Sequence, residues 1–358
     1  MSKLLNILLR QIRQTGPLTI ADYMKTCLLH PNYGYYSKQD PFGTNGDFIT
    51  SPEISQMFGE LLGLCLAQNW IDQGKKPFAL VEAGPGRGTL MVDILRATKS
   101  VPEFHQKMTI HLIEESTELQ KIQKENLSNF YVQWHTSVHT IPEKALFFIA
   151  NEFFDALPIR QFKRANTCWE EVLIGEKNNK LIYYLGNKIP LNTIPYHIEN
   201  TKIGDVIEMC MAAKPIITAL STRIKSYGGC AIIIDYGDDN LIGNTFQAVK
   251  NHKKIDALKL PGDSDLTAHV DFKELTRDIS EIMVTKTTSQ GILLERLGIN
   301  DRSKKLISNI PDHQKNIHTT AMRRLTHPSE MGSLFKAIAL YPSKSFPPAG
   351  FDLCNSKY

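Results

Sequence analysis

Apolar residues along this chain follow two different periods, and the change from one to the other divides it. "SKLLNILLRQIRQTGP" repeats Leu and Ile every three or four positions until Gly16 and Pro17, which predicts a short amphipathic helix. "LTIADYMKTCLLH" and "SPEISQMFGELLGLCLAQNWIDQG" carry the same helical spacing. The stretch between them, "PNYGYYSKQDPFGTNGDFITS", is rich in glycine, aromatics and turn residues. A loop of roughly 20 residues inside a domain is more often functional than a plain connection, and its aromatics argue against disorder. Residues 1–75 therefore read as a helical segment carrying one lid loop.

From residue 77 the pattern alternates. "PFALVEAG", "MTIHLIEES", "FYVQWH", "KALFFIANE" and "GCAIIIDYG" read as strands, while "GTLMVDILRATK", "TELQKIQKENLS", "PIITALSTRIKSYG" and "DFKELTRDISE" read as helices. Strands that are apolar throughout and separated by helices indicate a parallel sheet covered on both faces. The expected fold is α/β and doubly wound over 76–358. Two stretches interrupt it: 163–208, where "CWEEVLIGEKNNKLIYYLG" predicts a β-hairpin, and the polar excursion 238–265. Both leave the carboxyl ends of strands, the edge at which open α/β sheets bind ligands.

Composition narrows the function without naming it. The chain has 358 residues, 42% of them hydrophobic and 22% charged, which is ordinary globular material. Its 41 basic and 37 acidic residues are spread evenly, so no basic run suggests a nucleic-acid partner. Six cysteines without a C-x-x-C pair fit reduced thiols better than a disulfide scaffold or a zinc site. His135 and His139 stand four apart, but in a stretch that reads as strand and loop, so no metal is expected. The start of the chain lacks a small-residue cleavage site, which disfavours a secretory signal, although a basic, acid-poor start also suits an organellar presequence. No stretch approaches the ~20 apolar residues of a membrane span.

The chemistry begins at "LVEAGPGRGTLMVDIL", which sets Gly84, Gly86 and Gly88 between the first predicted strand and its helix. Glycines there permit a tight turn and close approach of backbone to a ligand. The dinucleotide fingerprint G-x-G-x-x-G would place its third glycine at Thr89, and the phosphate loop G-x-x-x-x-G-K-[ST] lacks its lysine. A glycine turn without a phosphate pattern suits S-adenosyl-L-methionine, an adenosyl ligand with no phosphates. Glu114, at the end of the second strand, can accept both ribose hydroxyls. Glu82 can hold the ligand's ammonium directly or through water.

Taken together, "DYMKTCLLHPNYGYYSKQDPFGTNGDFITSPEISQMFGELLG", "LVEAGPGRGTLMVDILR", "IANEFFDALPIRQF", "GGCAIIIDYG", "DLTAHVDF" and "MGSLFKAIAL" resemble the MidA family of S-adenosylmethionine-dependent methyltransferases, from about Leu18 to about Leu340. The resemblance implies a class I (Rossmann-like) methyltransferase sheet with an N-terminal helical cap and an inserted hairpin. It implies that the glycine loop holds the cofactor and that Gly46 to Ser55 cover the site. The family commonly has Leu where this chain has Ala83, a change that leaves the turn intact. Mitochondrial members act in complex I assembly and methylate an arginine of a core subunit, which implies a protein substrate, a subunit of a respiratory NADH dehydrogenase. Because the match begins so near the start of the chain, the expectation is a bacterial cytoplasmic member rather than one of the mitochondrial matrix.

The covering segment offers Asp47, Thr50, Ser51 and Glu53 as polar contacts, and closing it would keep water from the reacting methyl. Ser51 is also expected to cap a helix beginning at Pro52. In "ALFFIANEFFDALP" a buried strand ends in Asn151 and Glu152, with Asp155 a turn later. A guanidinium acceptor is fully charged at neutral pH, so carboxylates must hold it and receive its proton. Glu152 is expected to orient the acceptor nitrogen, and Asp155 either to share this task or to fix the loop. Phe153 and Phe154 are candidates to stack on cofactor or guanidinium, or core residues. Asp235 and Tyr236 either line the acceptor pocket or tie down the next loop, and His269 is the candidate neutral proton acceptor. Two other functions stay open: methyl transfer to a small molecule, and an assembly chaperone that binds cofactor without turnover.

Overall fold

The computed structural model describes residues 2–38, 49–194, 199–308 and 310–352. The chain divides into two compact units, one made of Met1–Phe48, Asp155–Lys214 and Asp239–Leu275, the other of Ile49–Phe154, Pro215–Asp238 and Thr276–Tyr358. The division does not fall at residue 75. Backbone pairing decides it: Leu18–Thr19 pairs antiparallel with the strand Cys168–Lys177, so the N-terminal segment joins the inserted hairpin.

In the first unit, the opening helix Lys3–Thr15 is capped by Ser2, whose side chain accepts from the Leu5 N–H, and ends at Gly16 with φ of 92°. Its apolar stripe, Leu4, Leu8 and Ile12, packs in one core with Tyr23, Met24 and Cys27 of the helix Ile20–Leu29 and with Ile174, Phe246 and Leu266. The hairpin Cys168–Lys177 and Lys180–Pro190 turns at Asn178 and Asn179, both at positive φ, where Asn is tolerated best after glycine.

The second unit holds the parallel sheet. Along its main path the strands, numbered in chain order, are β1 Phe78–Ala83, β2 Met108–Ile113, β3 Val132–His135, β4 Ala145–Asn151, β5 Gly229–Asp238, β6 Met283–Val284 and β7 Phe335–Tyr341. They lie in the order β6-β7-β5-β4-β1-β2-β3. The five strands β3-β2-β1-β4-β5 are parallel to their neighbours, and β7 is antiparallel to β5 and β6. β1 and β4 are buried at every position, which is why their sequences show no alternation. The strand order reverses between β1 and β4, so the crevice at their carboxyl ends is the topological switch point of the sheet. No described helix is long and apolar enough to cross a membrane.

At the other end of β1, Phe78 centres an aromatic cluster, its ring 5.6 Å from Trp70, 4.8 Å from Phe104 and 5.1 Å from Phe147. Aromatic pairs at these separations add to the burial of their area. Phe78→Ala should therefore lower the stability of the second unit by about 3–5 kcal/mol, read from the denaturant midpoint. Tyr131→Ala, at a residue 81% exposed, should change it by no more than about 0.5 kcal/mol. Equal effects of the two substitutions would contradict this packing.

Candidate active site

β1 ends at Ala83 and the chain turns at once, with Gly84, Gly86 and Gly88 at φ of 64°, 52° and 82°. These conformations penalise any residue with a Cβ. Gly84 has no space for one either, because it would stand 2.9 Å from Cδ2 of Phe153. The Gly84 N–H donates to Ile113 O at the end of β2 (3.1 Å), and the Gly88 N–H closes the turn on Pro85 O (2.7 Å). Gly88 then serves as the N-cap of the helix Thr89–Thr98.

Two carboxyls flank this loop. Glu82 is buried in β1, and its Oε2 has no hydrogen-bond partner among the described residues. Burial pushes it up to about 8, a backbone hydrogen bond from Met91 opposes this, and repulsion by Asp93 and Glu114 adds to it. Glu114 follows β2 directly, and its carboxylate accepts from the Ser116 N–H (2.8 Å) and from Gln123 Nε2 (3.3 Å). Burial pushes Glu114 up to about 7 despite those two donors.

The end of β4 supplies the opposite wall. Asn151 Nδ2 donates to Glu152 Oε1 (2.9 Å), while Asn151 Oδ1 is buried without a partner among the described residues. Glu152 sits at φ of 53°, an uncommon conformation for a non-glycine residue, and its N–H donates to Ile234 O of β5 (3.0 Å). Glu152 Oε1 also accepts from the Ser51 N–H (3.0 Å). Burial pushes this carboxyl up to about 7, against the Ser51 and Asn151 donors; Asp235 adds repulsion and Arg324 attraction.

Asp235 is an anchor, but chiefly of the loop after β4 and not of the loop that follows its own strand. One carboxylate oxygen accepts from the Phe153 N–H (3.1 Å) and the Phe154 N–H (2.8 Å), the other from the Tyr236 N–H (2.8 Å). Phe153 then packs on Gly84, and Phe154 is buried against it with ring centroids 5.2 Å apart.

The segment before the helix Gln56–Asp72 reaches the same place. Ser51 does not cap. The short helix starts at Ser51 itself, Thr50 holds the N-cap position without a side-chain bond, and the buried Ser51 hydroxyl donates to Gln290 Oε1 (3.1 Å). Glu53 Oε1 accepts from Thr89 Oγ1 (2.5 Å), joining this segment to the glycine-loop helix. Gln290 and Arg324 were not foreseen, and no local signal marks them, since Gln290 lies 239 positions from Ser51.

The structure thus brings together Glu82, Gly84, Gly86, Gly88, Glu114, Ser51, Asn151 and Glu152, with Thr50 beside Ser51. Asp47 lies outside the described residues. Asp155 and His269 belong to the other unit, where the Ala268 N–H donates to Asp155 O (3.0 Å) and the His269 N–H to Thr245 Oγ1 (2.8 Å). His269 there lines a cavity with Tyr183, Phe246 and Asp256. Among the described residues no group of three or more His, Cys, Asp or Glu is placed to hold a metal ion. His135 spends its ring nitrogens on His111 (2.9 Å) and Thr140 (2.8 Å).

This set of hydrogen-bond acceptors suits a cationic adenosyl ligand. Glu82 has a carboxylate oxygen without a partner among the described residues beside the glycine turn, and Glu114 retains lone pairs beyond those that Ser116 and Gln123 use.

Comparison with known proteins agrees. A family model for S-adenosyl-L-methionine-dependent methyltransferases matches residues 61–289. Curated relatives named "Protein arginine methyltransferase NDUFAF7, mitochondrial" include one from Xenopus laevis, 35% identical over 97% of this chain and 88% of its own length. Another, from Homo sapiens, is 37% identical over 95% of this chain and 83% of its own. A solved structure of a COG1565 superfamily member from Burkholderia thailandensis, bound to S-adenosyl-homocysteine, shares the fold with a TM-score of 0.82 at 24% identity, covering 97% of this chain and 93% of that one. The preference for a bacterial cytoplasmic protein over a mitochondrial one is corrected by these relatives, which match nearly the whole chain and are named as mitochondrial. The argument from a short N-terminus fails because the start of a chain is a weak guide to where it resides. With more than half of its length matched by that model and its relatives above 30% identity, the chain belongs to the family of S-adenosyl-L-methionine-dependent methyltransferases.

Proposed function

We propose that this methyltransferase modifies an arginine side chain of a protein substrate, with a subunit of a respiratory NADH dehydrogenase as the candidate target. The observation that carries the reading is the end of β4. A partly buried glutamate is held there in an unfavourable backbone conformation, beside a buried asparagine oxygen without a partner among the described residues. Strain and unpaired polarity are kept where a ligand repays them. The relatives named as protein arginine methyltransferases support the choice of acceptor. The strand order β6-β7-β5-β4-β1-β2-β3 supports the class I form of the fold, with the crevice at the switch point as its binding edge.

S-adenosyl-L-methionine supplies a methyl group on a sulfonium, and its transfer is an in-line displacement that rewards alignment more than acid–base power. In this reading Glu82 receives the ammonium and Glu114 the ribose, while Gly84, Gly86 and Gly88 let the backbone come close. Thr50 and Ser51 belong to the segment that excludes water, and Ser51 also fixes Glu152 through its N–H. The Glu152 carboxylate uses two of about four lone-pair directions on Asn151 and Ser51, leaving the others for a guanidinium. It orients the nucleophilic nitrogen and takes the proton that nitrogen loses. Asn151 Oδ1 offers a second acceptor to the same group.

Glu152→Gln should lower methyl incorporation into protein by about a hundredfold or more, with binding of S-adenosyl-homocysteine changed by no more than about threefold; unchanged incorporation of labelled methyl would remove Glu152 from the mechanism. The pH dependence follows from the raised carboxyl. With Glu152 pushed up to about 7, the ionised form that holds the acceptor grows as pH rises. At saturating cofactor, kcat/KM for the acceptor should therefore climb between about pH 6 and 8 and then level. A profile flat across that range, or falling with pH, would contradict this assignment.

A further inference from the structure

Beside the two cofactor loops, the helix Thr117–Asn126 carries three side-chain amides at successive intervals of three residues, and each donates to a backbone carbonyl of a loop. Gln120 Nε2 meets Glu114 O (2.9 Å), Gln123 Nε2 meets Gly86 O (2.8 Å), and Asn126 Nδ2 meets Arg87 O (2.9 Å). Residues three apart on a helix share one face, so the helix presents a row of donors. The row spans the loop after β1 and the residue after β2. Carbonyls at a tight turn otherwise seek water or a neighbouring strand, and here each has one fixed donor.

The middle member does more. Gln123 is fully buried, and its Nε2 also reaches Glu114 Oε2 (3.3 Å) while its Oε1 accepts from Trp134 Nε1 (2.8 Å). An indole N–H is a donor only, so Trp134 fixes which end of the amide faces which way. The oxygen must face Trp134, and both amide hydrogens then point at acceptors, the glycine-loop carbonyl and the Glu114 carboxylate. Trp134 is itself covered by Lys124, whose Nζ lies 5.2 Å from the ring centroid. One side chain thereby sets the position of the glycine turn relative to the carboxylate at the end of β2.

We infer that Gln123, oriented by Trp134 and flanked by Gln120 and Asn126, is a positioning residue for the adenosyl half of the cofactor, fixing the glycine turn against Glu114. The inference rests on the reading that Glu114 receives the ribose. Neither Gln123 nor Trp134 contacts the reacting methyl in this account. Their effect belongs to cofactor affinity and to recognition of the ribose hydroxyls, and the acceptor is untouched.

The test compares Gln123→Leu, Trp134→Phe, Asn126→Ala and Glu114→Gln with the parent protein by calorimetry with S-adenosyl-homocysteine and with its 2′-deoxyribose analogue, together with steady-state kinetics. Gln123→Leu should weaken binding of S-adenosyl-homocysteine by about tenfold to a hundredfold, raise KM for S-adenosyl-L-methionine to match, and leave kcat and the acceptor KM within about twofold. Its preference for the ribose ligand over the deoxy analogue should shrink, as in Glu114→Gln, and the two losses should not add in the double variant. Should Gln123→Leu fail to fold, Trp134→Phe and Asn126→Ala keep the question open to measurement, each predicted to weaken binding by several-fold without changing kcat. A lower melting temperature with affinity and ribose preference unchanged in the folded protein would overturn the inference, as would a loss confined to kcat. Loss of ribose preference in Glu114→Gln but not in Gln123→Leu overturns the role of Gln123 alone. An unchanged preference in Glu114→Gln overturns the assignment of Glu114 and the present inference with it.

Discussion

Three carboxyl groups taken out of water at one edge of one sheet are the constraint on which the rest of this site depends. Glu82 in β1 is buried and Glu114 after β2 and Glu152 after β4 are partly so; each is pushed well above the ordinary carboxyl value, and each has an acidic neighbour that adds to the cost. Removing an ionisable group from water without a full set of partners opposes folding. The fold accepts that cost three times within one crevice. At Glu82 the packing of β1 does not require it, since every other residue of that strand is apolar and buried. In the proposed function, the cofactor's ammonium and ribose hydroxyls and the guanidinium of an acceptor would supply what those groups lack.

The backbone around the carboxyls is arranged to hold them still. Asp235, at the end of β5, spends its carboxylate on the N–H groups of Phe153 and Phe154. That pins the chain just after Glu152 and presses Phe153 onto Gly84, where a side chain would collide. The turn after β1 and the turn after β4 are thus interlocked: a glycine in one admits the aromatic ring of the other. Ser51 completes the arrangement from a distant segment, with its N–H on Glu152 and its hydroxyl on Gln290. Positive φ at Glu152 is kept because its own N–H, its side chain and the following residues are all held. Local strain persists when its surroundings over-determine it.

What the sequence made legible was whatever is written locally. β1 and β4 announced themselves as unbroken apolar runs, and the glycine turn and Glu114 followed at the spacing a nucleotide-binding edge requires. Asn151 and Glu152 could be singled out because they stand where an apolar strand stops. Features that depend on contacts between remote segments could not be read. The helix at Ser51 begins one residue earlier than its proline suggested, which sends the Ser51 hydroxyl to Gln290 instead of to a cap. The two units were hidden for the same reason, because the first is assembled from three separated stretches and its sheet joins Leu18 to Ile174. Asp155 and His269 were singled out from short motifs, and both fold within that first unit, where the Ala268 N–H donates to Asp155 O and the His269 N–H to Thr245 Oγ1.

The central claim is that Glu82 and Glu114, both pushed up by burial, give up protons when the cofactor's ammonium and ribose hydroxyls bind beside them. Calorimetric titration with S-adenosyl-L-methionine at pH 7, in buffers of differing ionisation enthalpy, measures the protons exchanged on binding. With Glu82 pushed up to about 8 and Glu114 up to about 7, binding an ammonium and two hydroxyl donors should release protons, and Glu82→Gln should diminish that release. Net uptake of protons, or a binding enthalpy independent of the buffer, would contradict the account.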